Sequence, residues 1–140
     1  MLGGNVLVGV VLISHGKMAT GMLDAVRMII GEQEGIVPIT LRETDHVESL
    51  KKRIEAAVQR VDTGEGVLIM VDLFGATPFN VSARVALARD HTEVITGVNL
   101  PMLLEVALQR QNQSFARLVE IAKEAAMSSV RTLSESLEKR

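Results

Sequence analysis

The first apolar run of the chain covers residues 6–13 and ends on Ser14, His15 and Gly16. It is far shorter than the roughly 20 apolar residues of a membrane-spanning helix. Its Val, Leu and Ile content instead predicts a buried strand, and a helix-like segment follows directly. His15 is therefore expected at the carboxyl edge of a sheet, where open α/β sheets bind their ligands.

Length and composition favour one compact domain over residues 1–140. The first basic residue, Lys17, comes after the apolar run, whereas a secretory signal carries its basic residues first. The absence of cysteine excludes disulfides and thiolate catalysis and fits a reducing cytosol. We therefore expect a soluble, cytoplasmic protein whose mature N-terminus starts in the first strand.

Several ligand classes are disfavoured by the composition. A net charge of -2 and the lack of Trp and Tyr argue against nucleic-acid binding. His46 and His91 have no acidic residues at metal-ligand spacing, so no metal site is expected. The first strand–helix turn lacks G-x-G-x-x-G and no Walker A motif is present, so no nucleotide cofactor is expected either.

Short apolar runs alternate with amphipathic segments along the whole chain. Strands are predicted at residues 6–13, Ile36–Leu41, 67–72 and 92–98. Helices are predicted at residues 19–30, from Asp45 to about 61, from Thr77 to about 89, from Asn99 to about 111, and at 115–127. Residues 128–137 fit either a continued helix or a short terminal strand around 130–133.

Local signals refine the helix ends and the buried faces. Gly31 is expected to stop the first helix, and Asp45 with Glu48 resembles a capping box. Thr77 is predicted as an N-cap with Pro78 at the first helical position. Two helices have apolar stripes, formed by Met18, Met22, Val26 and Ile29 in the first and by Val47, Leu50, Ile54, Val58 and Val61 in the second.

This alternation predicts an α/β fold with a doubly wound, mainly parallel sheet and helices on both faces. With a strand order of 2-1-3-4, the strands that end at His15 and Asp72 are neighbours. Asp72 could then accept a hydrogen bond from Nδ1–H of His15 and leave Nε2 as a nucleophile. The backbone of Gly75 and Ala76 and the hydroxyl of Thr77 could hold phosphoryl oxygens. On spacing alone, a purely structural role for His15 is as plausible as a functional one.

Three motifs in order carry a family resemblance. They are Ser14-His15-Gly16 before an amphipathic helix, residues 71–80 (VDLFGATPFN) and residues 97–102 (GVNLPM). Together they resemble the enzyme IIA domain of the mannose-type (mannose, fructose, sorbose) sugar phosphotransferase system. The loop of that family often has an aromatic residue followed by Gly-Gly-Ser, and here Thr77 keeps the hydroxyl.

The resemblance implies a phosphocarrier. His15 would accept a phosphoryl group from phospho-HPr and pass it to a IIB protein, with Asp72 as its hydrogen-bond partner and Thr77 in contact with the phosphate. It also implies a homodimer that exchanges a short C-terminal strand, which suits residues 130–133. The IIB protein would be a separate polypeptide, and contact with the membrane would be indirect, through the IIC/IID transporter.

Other functions remain open at this point. The phosphotransfer subunit of a phosphoenolpyruvate-dependent dihydroxyacetone kinase has a similar fold and an active-site histidine. A regulatory protein that senses sugar supply by its phosphorylation state would use the same chemistry. A flavodoxin-like binding domain lacks a nucleotide motif to support it, and Ser14 in place of Arg before His15 disfavours a histidine phosphatase. Since a IIA protein never contacts the sugar, its motifs do not indicate which sugar is transported.

Overall fold

The computed structural model describes residues 6–138. The chain alternates strands and helices before ending in three consecutive helices. In order, the elements are β1 (Gly9–His15), α1 (Met18–Ile30), β2 (Ile36–Leu41), α2 (Val47–Val61), β3 (Val67–Val71), α3 (Thr77–Leu87), β4 (Thr92–Ile95), α4 (Leu100–Gln109), α5 (Phe115–Ser128) and α6 (Leu133–Glu138). No helix in this part of the chain is long and apolar enough to cross a membrane.

The four strands form one parallel sheet with the order β2-β1-β3-β4, which confirms the predicted fold class. Because all strands point the same way, the loops that follow them meet at one edge. In the register of the sheet His15 lies beside Leu41, and Ile13 lies between Ile39 and Val71. The ends of β1 and β3 are therefore adjacent, as the predicted contact between His15 and Asp72 requires.

The sheet separates two apolar clusters, so helices cover both of its faces. Val10 and Leu12 of β1 pack in a cluster with α1, α4 and α5, whereas Val11 and Ile13 pack in a cluster with α2 and α3. All four β1 side chains are fully buried. A strand buried on both faces explains the unbroken apolar run in the sequence.

Two glycines allow close approaches at the amino edge of the sheet. A Cβ on Gly9, the first residue of β1, would lie 2.4 Å from the carbonyl oxygen of Val61 at the end of α2. A Cβ on Gly66 would lie 2.5 Å from the ring of Phe115, and Gly66 also has a φ of +105°. β1 and the turn before β3 are thus packed too tightly for any side chain at these positions.

Some predicted boundaries and caps are wrong. β1 starts at Gly9 and extends to His15, and β4 ends at Ile95. The capping box at Asp45 is absent because Oδ2 of Asp45 accepts hydrogen bonds from the Arg42 amide (2.9 Å) and from Nη1 of Arg53 (3.0 Å). His46 stands at the N-cap instead and makes no side-chain cap bond.

The predicted helix stripes are correct at their centres and wrong at their edges. Val26 of α1 is buried, and so are Leu50, Ile54, Val58 and Val61 of α2. Met18, Ile29 and Val47 are about half exposed or more. Each of the three lies within a residue of the end of its helix.

The C-terminal segment adopts neither of the two predicted structures. α5 ends at Ser128, residues 130–132 have no regular structure, and the short helix α6 follows. Val130 and Leu133 are both exposed, at 81% and 75%. The described part of this single chain therefore shows no terminal strand.

Candidate functional site

His15 is the last residue of β1 and lies at the carboxyl edge of the sheet. The chain turns sharply at Gly16, whose φ of +56° suits glycine. Ser14, which is completely buried, accepts a hydrogen bond from the Ala19 amide at its Oγ (2.7 Å). This hydroxyl satisfies one free amide of the first turn of α1, so it fixes the helix against the strand that carries His15.

Asp72 follows directly after β3 and holds His15 by two hydrogen bonds. Oδ2 of Asp72 lies 2.8 Å from the His15 backbone nitrogen and 2.8 Å from its ring Nδ1. The other oxygen, Oδ1, accepts a hydrogen bond from the Leu73 amide (2.9 Å). The carboxylate is thus fixed at both oxygens, and the imidazole has one defined position.

The electrostatics of this pair favour a negative carboxylate. Burial of Asp72 acts to raise its pKa, but the hydrogen bonds from the His15 amide, the His15 ring and the Leu73 amide together outweigh it and hold the pKa below its usual value. An ionised carboxylate can only accept, so Nδ1 of His15 carries a hydrogen, and in the neutral imidazole Nε2 then has the free lone pair. The side chain of His15 is 49% exposed and that of Asp72 only 8%.

The loop after Asp72 leads into α3 on the same edge of the sheet. Gly75 has a φ of +82°, and a Cβ there would meet no other atom within 4 Å. The prediction that Thr77 is the N-cap of α3 is wrong. Ala76 is the extended N-cap residue and its carbonyl accepts from the Asn80 amide (2.9 Å), so Thr77 and Pro78 already belong to the first turn.

Two residues that the sequence analysis missed hold this loop. Nδ2 of Asn80 donates a hydrogen bond to the carbonyl oxygen of Gly75 (3.0 Å). The ring of Phe79 packs on that of Phe74, with centroids 4.7 Å apart and planes tilted by 41°. The side chain of an Asn near the start of a helix often hydrogen-bonds nearby backbone groups. The position of Asn80, three residues after Thr77, could therefore have indicated this role.

The other two histidines lie in other loops, His46 between β2 and α2 and His91 between α3 and β4. His46 and His91 are both exposed. Within residues 6–138, no three His, Asp or Glu side chains lie close enough together to hold a metal ion. Lys17 is exposed just before α1, next to the site in sequence.

Comparison with known proteins places these residues in a family. The family model described as "PTS system fructose IIA component" matches residues 9–123, which include His15, Asp72 and the whole loop to Asn80. The chain belongs to the mannose-type enzyme IIA family of the sugar phosphotransferase system. The predicted resemblance is thereby confirmed.

Members of this family resemble the chain over most of its length. The sorbose-specific EIIA component of Lacticaseibacillus casei is 37% identical over 110 residues, which are 79% of each protein. The mannose/sorbose-specific IIA subunit of Enterococcus faecalis has the same fold, with a TM-score of 0.82 and 26% identity over 91% of this chain and 95% of that one.

One relative in the family is much longer than this chain. The mannose-specific EIIAB component of Escherichia coli K12 is 36% identical over 127 residues, or 90% of this chain. The match covers only 39% of that relative, so the chain spans about two fifths of its length.

Proposed function

We propose that the protein is a phosphocarrier of the IIA type. His15 accepts a phosphoryl group from phospho-HPr and passes it to a IIB protein, which uses it for sugar uptake and phosphorylation through a IIC/IID transporter. The observation that carries this proposal is the 2.8 Å contact between Nδ1 of His15 and an ionised Asp72. Family membership supports the reaction class, and names of relatives such as "mannose-specific EIIAB component" support a IIB acceptor and a sugar substrate for the system.

In the proposed step, the lone pair on Nε2 of His15 attacks the phosphorus of phospho-HPr. The bond from phosphorus to the donor breaks, and its electron pair stays with the donor. The His15 ring gains positive character because Nδ1 keeps its hydrogen while Nε2 forms the new P–N bond. Asp72 stabilises that charge through the Nδ1–H hydrogen bond. When the acceptor attacks the phosphorus, the P–N bond breaks, its electron pair returns to Nε2, and the ring is neutral again.

The phosphoryl oxygens need donors, and we assign these to the loop before α3. The amides of Ala76 and Thr77 precede or begin the first turn of the helix, whose N-terminal end carries partial positive charge. Gly75 lets the backbone turn close to the site, and the exposed Thr77 can donate its hydroxyl hydrogen. These three residues are the proposed phosphate contacts.

Phosphorylation of His15 is the direct test. With phosphoenolpyruvate, enzyme I and HPr, we expect one acid-labile phosphoryl adduct by intact-protein mass spectrometry. His15→Ala should abolish the adduct because the nucleophile is gone, whereas His46→Ala, which alters another exposed histidine, should keep it. A wild-type protein without an adduct, under conditions that phosphorylate HPr, contradicts the proposal.

We also propose a homodimer in which residues 130–133 of each chain add a strand to the other. β4 is an edge strand, and its Val94 amide donates to the carboxylate of the adjacent Glu93 (2.9 Å) rather than to another strand. An apolar groove of about 830 Å³ runs along this edge between α3 and α5 and reaches Phe74, Leu87 and Met127. An open strand edge beside an exposed apolar groove is a site for an added strand.

The dimer proposal predicts a change in mass on mutation of the exchanged segment. Sedimentation equilibrium should show a dimer for the wild type and a monomer for Val130→Asp, because a charge would enter the apolar groove. Leu108→Asp is the matched control, since Leu108 is an exposed apolar residue of α4 outside the groove. A wild-type monomer at micromolar concentration would rule out the dimer.

A further inference from the structure

Asn80 holds two successive carbonyl groups of the loop before α3. Its side-chain Nδ2 donates to Gly75 O (3.0 Å), and its backbone amide donates to Ala76 O (2.9 Å). The second bond is the ordinary first bond of the helix, whereas the first is made only because residue 80 has a side-chain amide. Both carbonyls therefore point towards α3.

The orientation of these carbonyls determines where the next two amides point. In a trans peptide the C=O and the following N–H lie on opposite sides of the chain. With both oxygens turned to Asn80, the N–H groups of Ala76 and Thr77 turn away from it. Both amides are therefore available to an anion that approaches from the side opposite Asn80.

Because residue 75 is glycine, the Gly75–Ala76 peptide could adopt either of two orientations. A glycine at φ +82° has no Cβ to resist rotation of the adjacent peptide, and the space around this one is open. A flipped Gly75–Ala76 peptide would present a carbonyl oxygen in place of an N–H, and that oxygen would repel a phosphoryl group. The Asn80 side chain is what favours the unflipped peptide.

We propose that Asn80 is a positioning residue for phosphoryl transfer, which holds the Gly75–Ala76 peptide so that the Ala76 and Thr77 amides meet the phosphoryl oxygens. The inference rests on the proposed phosphocarrier function. Asn80 itself does not touch the phosphoryl group in this scheme. It acts through the peptide that its side chain orients.

Two substitutions of Asn80 should have graded effects on the rate. In Asn80→Ala the peptide is no longer held, and kcat for transfer from phospho-HPr should fall about 10- to 100-fold with KM unchanged. In Asn80→Asp the new carboxylate can only accept, so it repels Gly75 O and attracts the Ala76 N–H, and kcat should fall further. Asn112→Ala, an exposed asparagine in the turn before α5, should keep the wild-type kcat.

Amide NMR separates this role from a general loss of stability. On phosphorylation of His15, the wild-type Ala76 and Thr77 N–H signals should shift downfield, and in Asn80→Ala that shift should shrink while Tm falls only a few degrees. If phosphorylated wild type shows no shift of these signals, or if both Asn80 variants keep the wild-type kcat, the positioning role is overturned and the phosphocarrier proposal survives. A wild-type protein that accepts no phosphoryl group overturns both the positioning role of Asn80 and the phosphocarrier proposal.

Discussion

Asp72→Asn is expected to slow phosphoryl transfer from phospho-HPr to His15 about a thousand- to ten-thousandfold, since removing the carboxylate charge from an Asp–His pair has effects of this order. Asn has one oxygen and one NH₂ group where Asp72 has two accepting oxygens. If its oxygen faces His15, its NH₂ meets the Leu73 amide, donor against donor. If its NH₂ faces His15, it meets the His15 amide and makes Nδ1 an acceptor, so that the hydrogen moves to Nε2 and removes the nucleophile.

Rapid-quench measurement of phosphohistidine formation tests this prediction. Nitrogen-15 NMR of the imidazole should show the shift in tautomer directly, which a merely destabilised protein would not show. Asp24→Asn is the control, because Asp24 makes an exposed ion pair with Arg27 on α1 and should transfer at nearly the wild-type rate. A rate for Asp72→Asn within threefold of the wild type would remove Asp72 from the mechanism.

Gly9→Ala is expected to destabilise the protein by about 3 kcal/mol, which is large for the addition of one methyl group. The new Cβ would lie 2.4 Å from Val61 O and 2.6 Å from Val61 Cγ2. The nearest obstacle is backbone, so it cannot move aside by changing a rotamer. Either α2 shifts as a whole or the start of β1 separates from the Gly66 carbonyl, to which the Gly9 amide donates (3.0 Å).

Urea unfolding provides the measurement, and Gly21→Ala provides the matched control. Gly21 lies within α1, and a Cβ there would meet nothing within 4 Å. The same change at Gly21 should stabilise the protein by about 0.5–1 kcal/mol, since alanine is the better helix former. Equal free energies of unfolding for the two variants would show that the contact with Val61 is readily relieved.

The sequence was sufficient to predict the fold class and the edge of the sheet at which His15 and Asp72 lie. Both follow from strong signals, namely buried apolar runs that end in a polar residue and helices long enough for parallel crossovers, whereas the strand order that makes the two residues neighbours was an assumption that the structure confirms. The predicted contact does not depend on boundaries that are exact to one residue. Errors of two or three residues at the ends of β1 and β4 therefore left the site intact.

Details set by competing hydrogen bonds were not predictable. Asp45 had the spacing of a capping box, but the guanidinium of Arg53 and the Arg42 amide use its carboxylate. Thr77 had the residue type of an N-cap, but the Asn80 amide bonds the carbonyl of Ala76 and starts the helix one residue earlier. In each case donors close in the sequence compete, and the sequence alone does not show which of them is aligned with the acceptor.

The aromatic pair of Phe74 and Phe79 has a practical consequence for spectroscopy. The chain has three Phe and no Trp or Tyr, and two of these three rings pack together at the loop beside His15. The third, Phe115, lies against Gly66 at the opposite edge of the sheet. Phenylalanine ring-current shifts in the proton spectrum therefore come from only two places, and those from Phe74 and Phe79 make the loop a natural, label-free reporter of what happens at the histidine.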